Sequence, residues 1–183
     1  KSKVIFVKRV PGVSVVDWFA NLTIDFHTKL VRKMRDVLTS SDEYPYCSER
    51  CRERLAEIRY IAHNSGFCHR LVTPLSDKKY AVFPWVGTRQ LVTLHYALRY
   101  RGIKSKLPFY TSIYLEVLFD GPQEDLEDIL QDVLHSELDP YEFPLPDKAQ
   151  VKGKYNEFVP LGLLRKQYIE DYLDLEGLQE AFV

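Results

Sequence analysis

The chain has 183 residues, 45% of them apolar, which suits one domain with a sizeable core and excludes a disordered segment. Lys and Arg number 25 against 26 Asp and Glu, and this near-neutral total argues neither for a nucleic-acid binder nor for an acidic scaffold. The distribution is polarised, however: residues 1–106 carry 20 basic and 9 acidic side chains, and residues 107–183 carry 5 and 17. That asymmetry points to a polyanionic partner for the basic half, or to two halves that neutralise each other in the fold.

In chain order, residues 4–7 read as an edge strand closed by Pro11-Gly12. A helix is predicted over 24–38, capped by Thr23, with Leu30, Val31, Met34, Val37 and Leu38 as its apolar stripe and Lys29, Arg32, Lys33 and Arg35 on the other side. A second helix starts at the cap Ser48 and stops near Gly66, which suits a left-handed terminus. Strands at 70–75 and 80–85 form a hairpin across Ser76-Asp77-Lys78-Lys79. Gly87-Thr88 then turns the chain into a helix along Leu91, Leu94, His95 and Leu98 that ends at Gly102. Alternation over 110–119 predicts an interior strand, and Pro122 fits the first turn of an acidic helix burying Leu126, Ile129, Leu130, Val133 and Leu134. Residues 137–154 form a long irregular connection with three prolines. Pro160 then opens a last helical segment, followed by a short turn capped by Asp174. The result is a single α+β domain spanning 1–183, a small mixed sheet of about four strands packed with about five helices. The helix between Trp85 and Tyr110 acts as a crossover expected to make its flanking strands parallel.

No phosphate loop GxxxxGK[ST], no GxGxxG and no GxSxG occurs in the sequence, so nucleotide turnover and serine hydrolysis are unsupported. Three motifs suggest binding chemistry. Gly87 and Thr88, with Arg89, sit at a strand-to-helix turn where free N–H groups can hold an anion, or where Thr88 is an ordinary cap. Cys47, Cys51, Cys68, His63 and His69 offer soft ligands for zinc, in a spacing that matches no zinc finger. Cys51 also falls on an apolar stripe where a thiol packs as a small hydrophobe. Glu116, Asp120, Glu124 and Asp125 suggest a carboxylate metal cluster, against which Asp120-Gly121-Pro122 reads as a plain strand-to-helix turn.

The strongest binding signal is the run Arg89, Arg99, Arg101, Lys104 and Lys106, free of acids and interleaved with Tyr96 and Tyr100, with Arg32 and Lys33 as a second contact. Cations near phosphates and aromatic faces for bases are the two ingredients of single-strand binding. The competing readings are a solvated helix end and cations paired with the acidic half. Three cysteines that cannot all pair, the lack of a signal-like start and the lack of an apolar run near the roughly 18 residues of a membrane span predict a cytoplasmic setting without a membrane partner. Lys1 in place of Met predicts a piece excised from a longer protein.

Taken in order, VRKMRDVL, DEYPYC, RLAEIR, YAVFPWVGTRQLVTLHYAL, KYNEFVP, LLRKQY and LDLEGL resemble the region that follows the motor in large DEAD/DEAH-box helicases of the Lhr type. The resemblance spans most of the chain. It implies a non-catalytic accessory domain that engages single-stranded or forked nucleic acid, with the helicase motor domains of the same polypeptide as a second partner. It also implies that ATP and Mg belong only to those motor domains, so that no cofactor is expected in this chain. It brings no catalytic residue with it, but marks Trp85, Gly87, Thr88 and Arg89 as a family turn. A protein docking module using the acidic half or an apolar patch is the alternative function.

Overall fold

The computed structural model describes residues 24–109, 112–147 and 155–182. The expected strand at 4–7 and the cap Thr23 lie outside them. α1 (Thr28–Thr39) is capped instead by His27, whose side chain accepts from the Lys29 N–H. α2 (Glu49–Ser65) begins at Ser48, whose hydroxyl accepts from the Cys51 N–H, and ends on Gly66 at φ 71°, where a left-handed residue suits glycine. The hairpin follows as β1 (Val72–Ser76) and β2 (Lys79–Val82), then α3 (Thr88–Tyr100), β3 (Lys104–Lys106) and β4 (Leu115–Leu118). α4 (Gln123–His135) has Pro122 at its cap position rather than in its first turn, and α5 (Leu161–Tyr172) follows Pro160. α6 (Leu175–Glu180) is capped by Asp174, whose Oδ1 accepts from the Gly177 N–H.

The fold is α+β, but its sheet is antiparallel throughout rather than mixed. Its strand order is β1-β2-β4-β3, and β4 runs antiparallel to both neighbours. The physical reason is β3, a three-residue strand that the sequence pattern did not show. The strands expected to flank the crossover in parallel, 80–85 and 110–119, correspond to β2 and β4, which pair antiparallel; the parallel relation across α3 holds instead between β2 and β3. β4 inserts between them, giving a split β-α-β unit, because the short connection from β3, with no helix among its described residues, returns the chain antiparallel. β4 is thus an interior strand, as its alternation predicted.

One sheet face, with Tyr80, Val82, Leu115 and Val117, packs on Leu91, Leu94 and Leu98 of α3 and Leu126, Leu130 and Val133 of α4. Tyr168 of α5 and Leu178 of α6 complete the same cluster. Each fully buried leucine contributes about 1.5–3 kcal/mol of transfer free energy, so residues from both charge-biased halves stabilise one core. A second cluster joins Val31 of α1, Ala62 of α2, Cys68 and Trp85, with Phe67, Phe83 and Ile113 against it. α1 fits this cluster incompletely. Of its predicted stripe only Val31 is buried, while Leu30 and Met34 stay exposed.

Candidate nucleic-acid interface

The Gly87-Thr88 turn is closed by the chain entering α1. The Gly87 N–H donates to Thr28 Oγ1 at 3.0 Å, and the Thr88 N–H donates to the Phe26 carbonyl at 2.9 Å, while Thr88 Oγ1 accepts from the Phe26 N–H. A Cβ on Gly87 would lie 2.5 Å from the Phe26 oxygen, so only glycine permits this approach. The two N–H groups that recommended the turn as an anion site are therefore satisfied by protein acceptors. Arg89 is similarly engaged: its Nη2 donates to the carbonyls of Glu170 and Leu173, each at 2.6 Å, at the C-terminus of α5. Those carbonyls have no helical partner and carry the negative end of the dipole, so the guanidinium closes the helix.

Further along α3, Tyr100 donates its hydroxyl to Glu142 at 2.6 Å, and that bond raises the phenol above its ordinary pKa. Arg101 pairs with Asp132 at 2.9 Å and donates to Ser136 Oγ at 3.0 Å, tying α3 to α4. The rest of this basic run is unpaired: Arg99, Lys104 and Lys106 are exposed and form no ion pair among the described residues. Alternation along β3 sends Lys104 and Lys106 to one face and Ser105 to the other, where Ser105 Oγ lies 2.8 Å from His95 Nδ1. Burial, aided by the Arg99 charge, lowers His95 to about 4, so the imidazole is neutral at pH 7 and acts as a packing group.

The second patch divides. Lys33 lines an apolar groove of about 640 Å³ between α1, α2 and the segment leading into β4, together with Leu30, Met34, Val37, Ile58 and Ile113. Arg32 faces a different cleft that Arg35, Arg70 and Trp85 also line. Sequence reading placed Arg35 on the basic side of α1 but attached no role to Arg70, because the two meet only through packing of the turn after α2 onto α1.

The proposed metal ligands are separated. Cys47 and Cys51 share a hydrogen bond at the start of α2 that pushes the Cys47 thiol up, whereas His63 sits in the last turn of α2, roughly 18 Å along the helix from Cys51, and Cys68 and His69 lie beyond its end. Cys68 is buried, which raises its thiol despite the nearby Arg35 charge. Glu116 and Asp120 pair with Lys79 and Lys78, both at 2.9 Å, and Glu124 and Asp125 sit in the first turn of α4. Among the described residues no three His, Cys, Asp or Glu side chains converge as a metal site, and no helix is long and apolar enough to cross a membrane. No protein-family model, curated protein or solved structure matches the chain.

Proposed function

We propose that this domain binds nucleic acid without catalysis, contacting strand phosphates with little sequence preference as an accessory to a helicase motor on the same polypeptide. The observation that carries this reading is the pair of exposed lysines on the edge strand β3, Lys104 and Lys106, with Arg99 exposed on α3, all three without an ion pair among the described residues. The resemblance to Lhr-type accessory regions supports it. Arg89 drops out as a contact, because its guanidinium closes the C-terminus of α5, and Arg101 is partly spent on Asp132 and Ser136. Exposed cations of this kind reach phosphates but read no base edge. The acidic outer side of α4 opposes the approach of a polyanion, so affinity is micromolar or weaker.

The test is fluorescence anisotropy with unphosphorylated single-stranded and forked oligonucleotides over a range of salt. Replacing Lys104 and Lys106 by Glu weakens binding to all sequences equally and flattens the log–log salt slope by roughly one unit per lysine removed. Undetectable binding at low salt, or binding indifferent to both reversals, refutes the reading. The apolar groove between α1 and α2 favours the second reading, docking of the motor domains through Leu30, Met34 and Ile58. Salt separates the two, since docking through apolar area persists where phosphate contacts fail.

A further inference from the structure

A cleft of about 270 Å³ lies where α1, the turn after α2 and the end of β2 meet. Arg32, Arg35, His69, Arg70, Phe83 and Trp85 line it, and no Asp or Glu does so among the described residues. Arg32 spends one donor on the Ala181 carbonyl at 3.2 Å. Arg35 and Arg70 make no hydrogen bond or ion pair among the described residues, so three guanidiniums share one concave wall with no acidic side chain beside them among the described residues. Concave walls of low dielectric focus such a field, and the mutual repulsion persists until an anion enters.

Trp85 supplies an independent observation. It is 4% exposed, yet its Nε1 has no hydrogen-bond partner, although a buried indole N–H ordinarily has one. Its φ of 54° is in the left-handed region, which a bulky residue adopts only when its surroundings impose it. Here the surroundings are aromatic: Trp85 stacks on Phe67 and Phe83 with ring centroids 6.0 and 6.1 Å apart. A strained backbone thus sets an indole with a spare donor into the wall of an arginine-lined cleft.

We propose that this cleft binds a phosphate monoester dianion, carried either by the terminal phosphate of a strand or by a free nucleotide. Planar guanidinium forks match phosphate oxygens in pairs, and three of them beside an imidazole suit a doubly charged group better than a diester or a carboxylate. Phe83 and Trp85 give the attached sugar or base an apolar wall. The site involves neither β3 nor its lysines, so it stands or falls separately from the sheet-edge reading.

The chain holds two tryptophans, Trp18 and Trp85, so the Trp85 indole N–H resonance can be assigned by NMR through Trp18→Phe. AMP is expected to shift that resonance saturably, and adenosine is not. Arg35→Gln and Arg70→Gln, with melting curves unchanged, each weaken AMP on the order of tenfold. Oligonucleotides bearing a 5′-phosphate, a 3′-phosphate or only hydroxyl ends separate the sources. A phosphorylated end that outcompetes AMP identifies a strand terminus, whereas AMP binding at least as tightly as either end identifies a free nucleotide. The proposal is overturned if neither AMP nor a phosphorylated end shifts the resonance at millimolar concentration, or if the shifts survive both substitutions. Binding of hydroxyl-ended strands through Lys104 and Lys106 is untouched by either result.

Discussion

His95 lies one turn before Arg99 on α3, and its imidazole is pulled to about 4 by burial. The folded value lies below the unfolded 6.5, so the unfolded chain takes up the proton first. This contribution to stability is complete above pH 6.5 and is lost as pH falls toward 4, by on the order of 2–3 kcal/mol. Urea titrations between those limits give the slope, and His95→Gln is expected to flatten it relative to the parent chain. Arg89 shows why a cation at a helix start was misleading in the sequence. Its carbonyl partners, Glu170 and Leu173, come from residues more than eighty positions away, and no local pattern announces a helix C-terminus there. Arg89→Ala is expected to lower stability by about 2–4 kcal/mol in denaturant titrations while leaving oligonucleotide affinity unchanged, whereas Lys104→Glu does the reverse.

Elements whose ends are set by local chemistry were legible. Ser48 and Gly66 bound α2 as read, and Asp174 caps α6. Gly66→Ala places a Cβ in ordinary contact with Arg70 but forces a left-handed φ on alanine, with an expected loss of about 1 kcal/mol and faster amide exchange in the last turn of α2. β3 was illegible because Lys-Ser-Lys has neither an apolar face nor β propensity. Its pairing with Glu116, Val117 and Leu118 comes wholly from the neighbouring strand. The half-exposed stripe of α1 marks the limit of periodicity as a signal. Spacing predicts which residues share a face, but not whether anything covers it.

Across the whole molecule the two charge-biased halves are joined by ion pairs: Lys78 with Asp120, Lys79 with Glu116 and Arg101 with Asp132. Such exposed pairs contribute at most about 1 kcal/mol each, so the joint core rather than charge holds the halves together. Leu126, Tyr168 and Leu178 pack in the same cluster as Val82 and Leu94. A single unfolding transition is therefore expected, coincident by circular dichroism and fluorescence. A fragment ending at Lys106 lacks β4, which both β2 and β3 need as their partner, and is expected to show no cooperative transition.

The two edges of the sheet differ in how they discourage stray strands. β1 carries Pro74, which has no N–H to offer, and its register shifts between Pro74 and Ser76. β3 has no such irregularity and relies on Lys104 and Lys106, so the lysines proposed for phosphate contact are also its gatekeepers against intermolecular pairing. Neutral and charged replacements then diverge. Replacing both lysines by Ala is expected to accelerate aggregation at unchanged thermodynamic stability, measured by light scattering during incubation below the melting temperature, whereas replacing both by Glu keeps the chain monomeric. A polyanion that masks the same two charges would, by the same logic, trade one form of protection for another by covering the edge it neutralises.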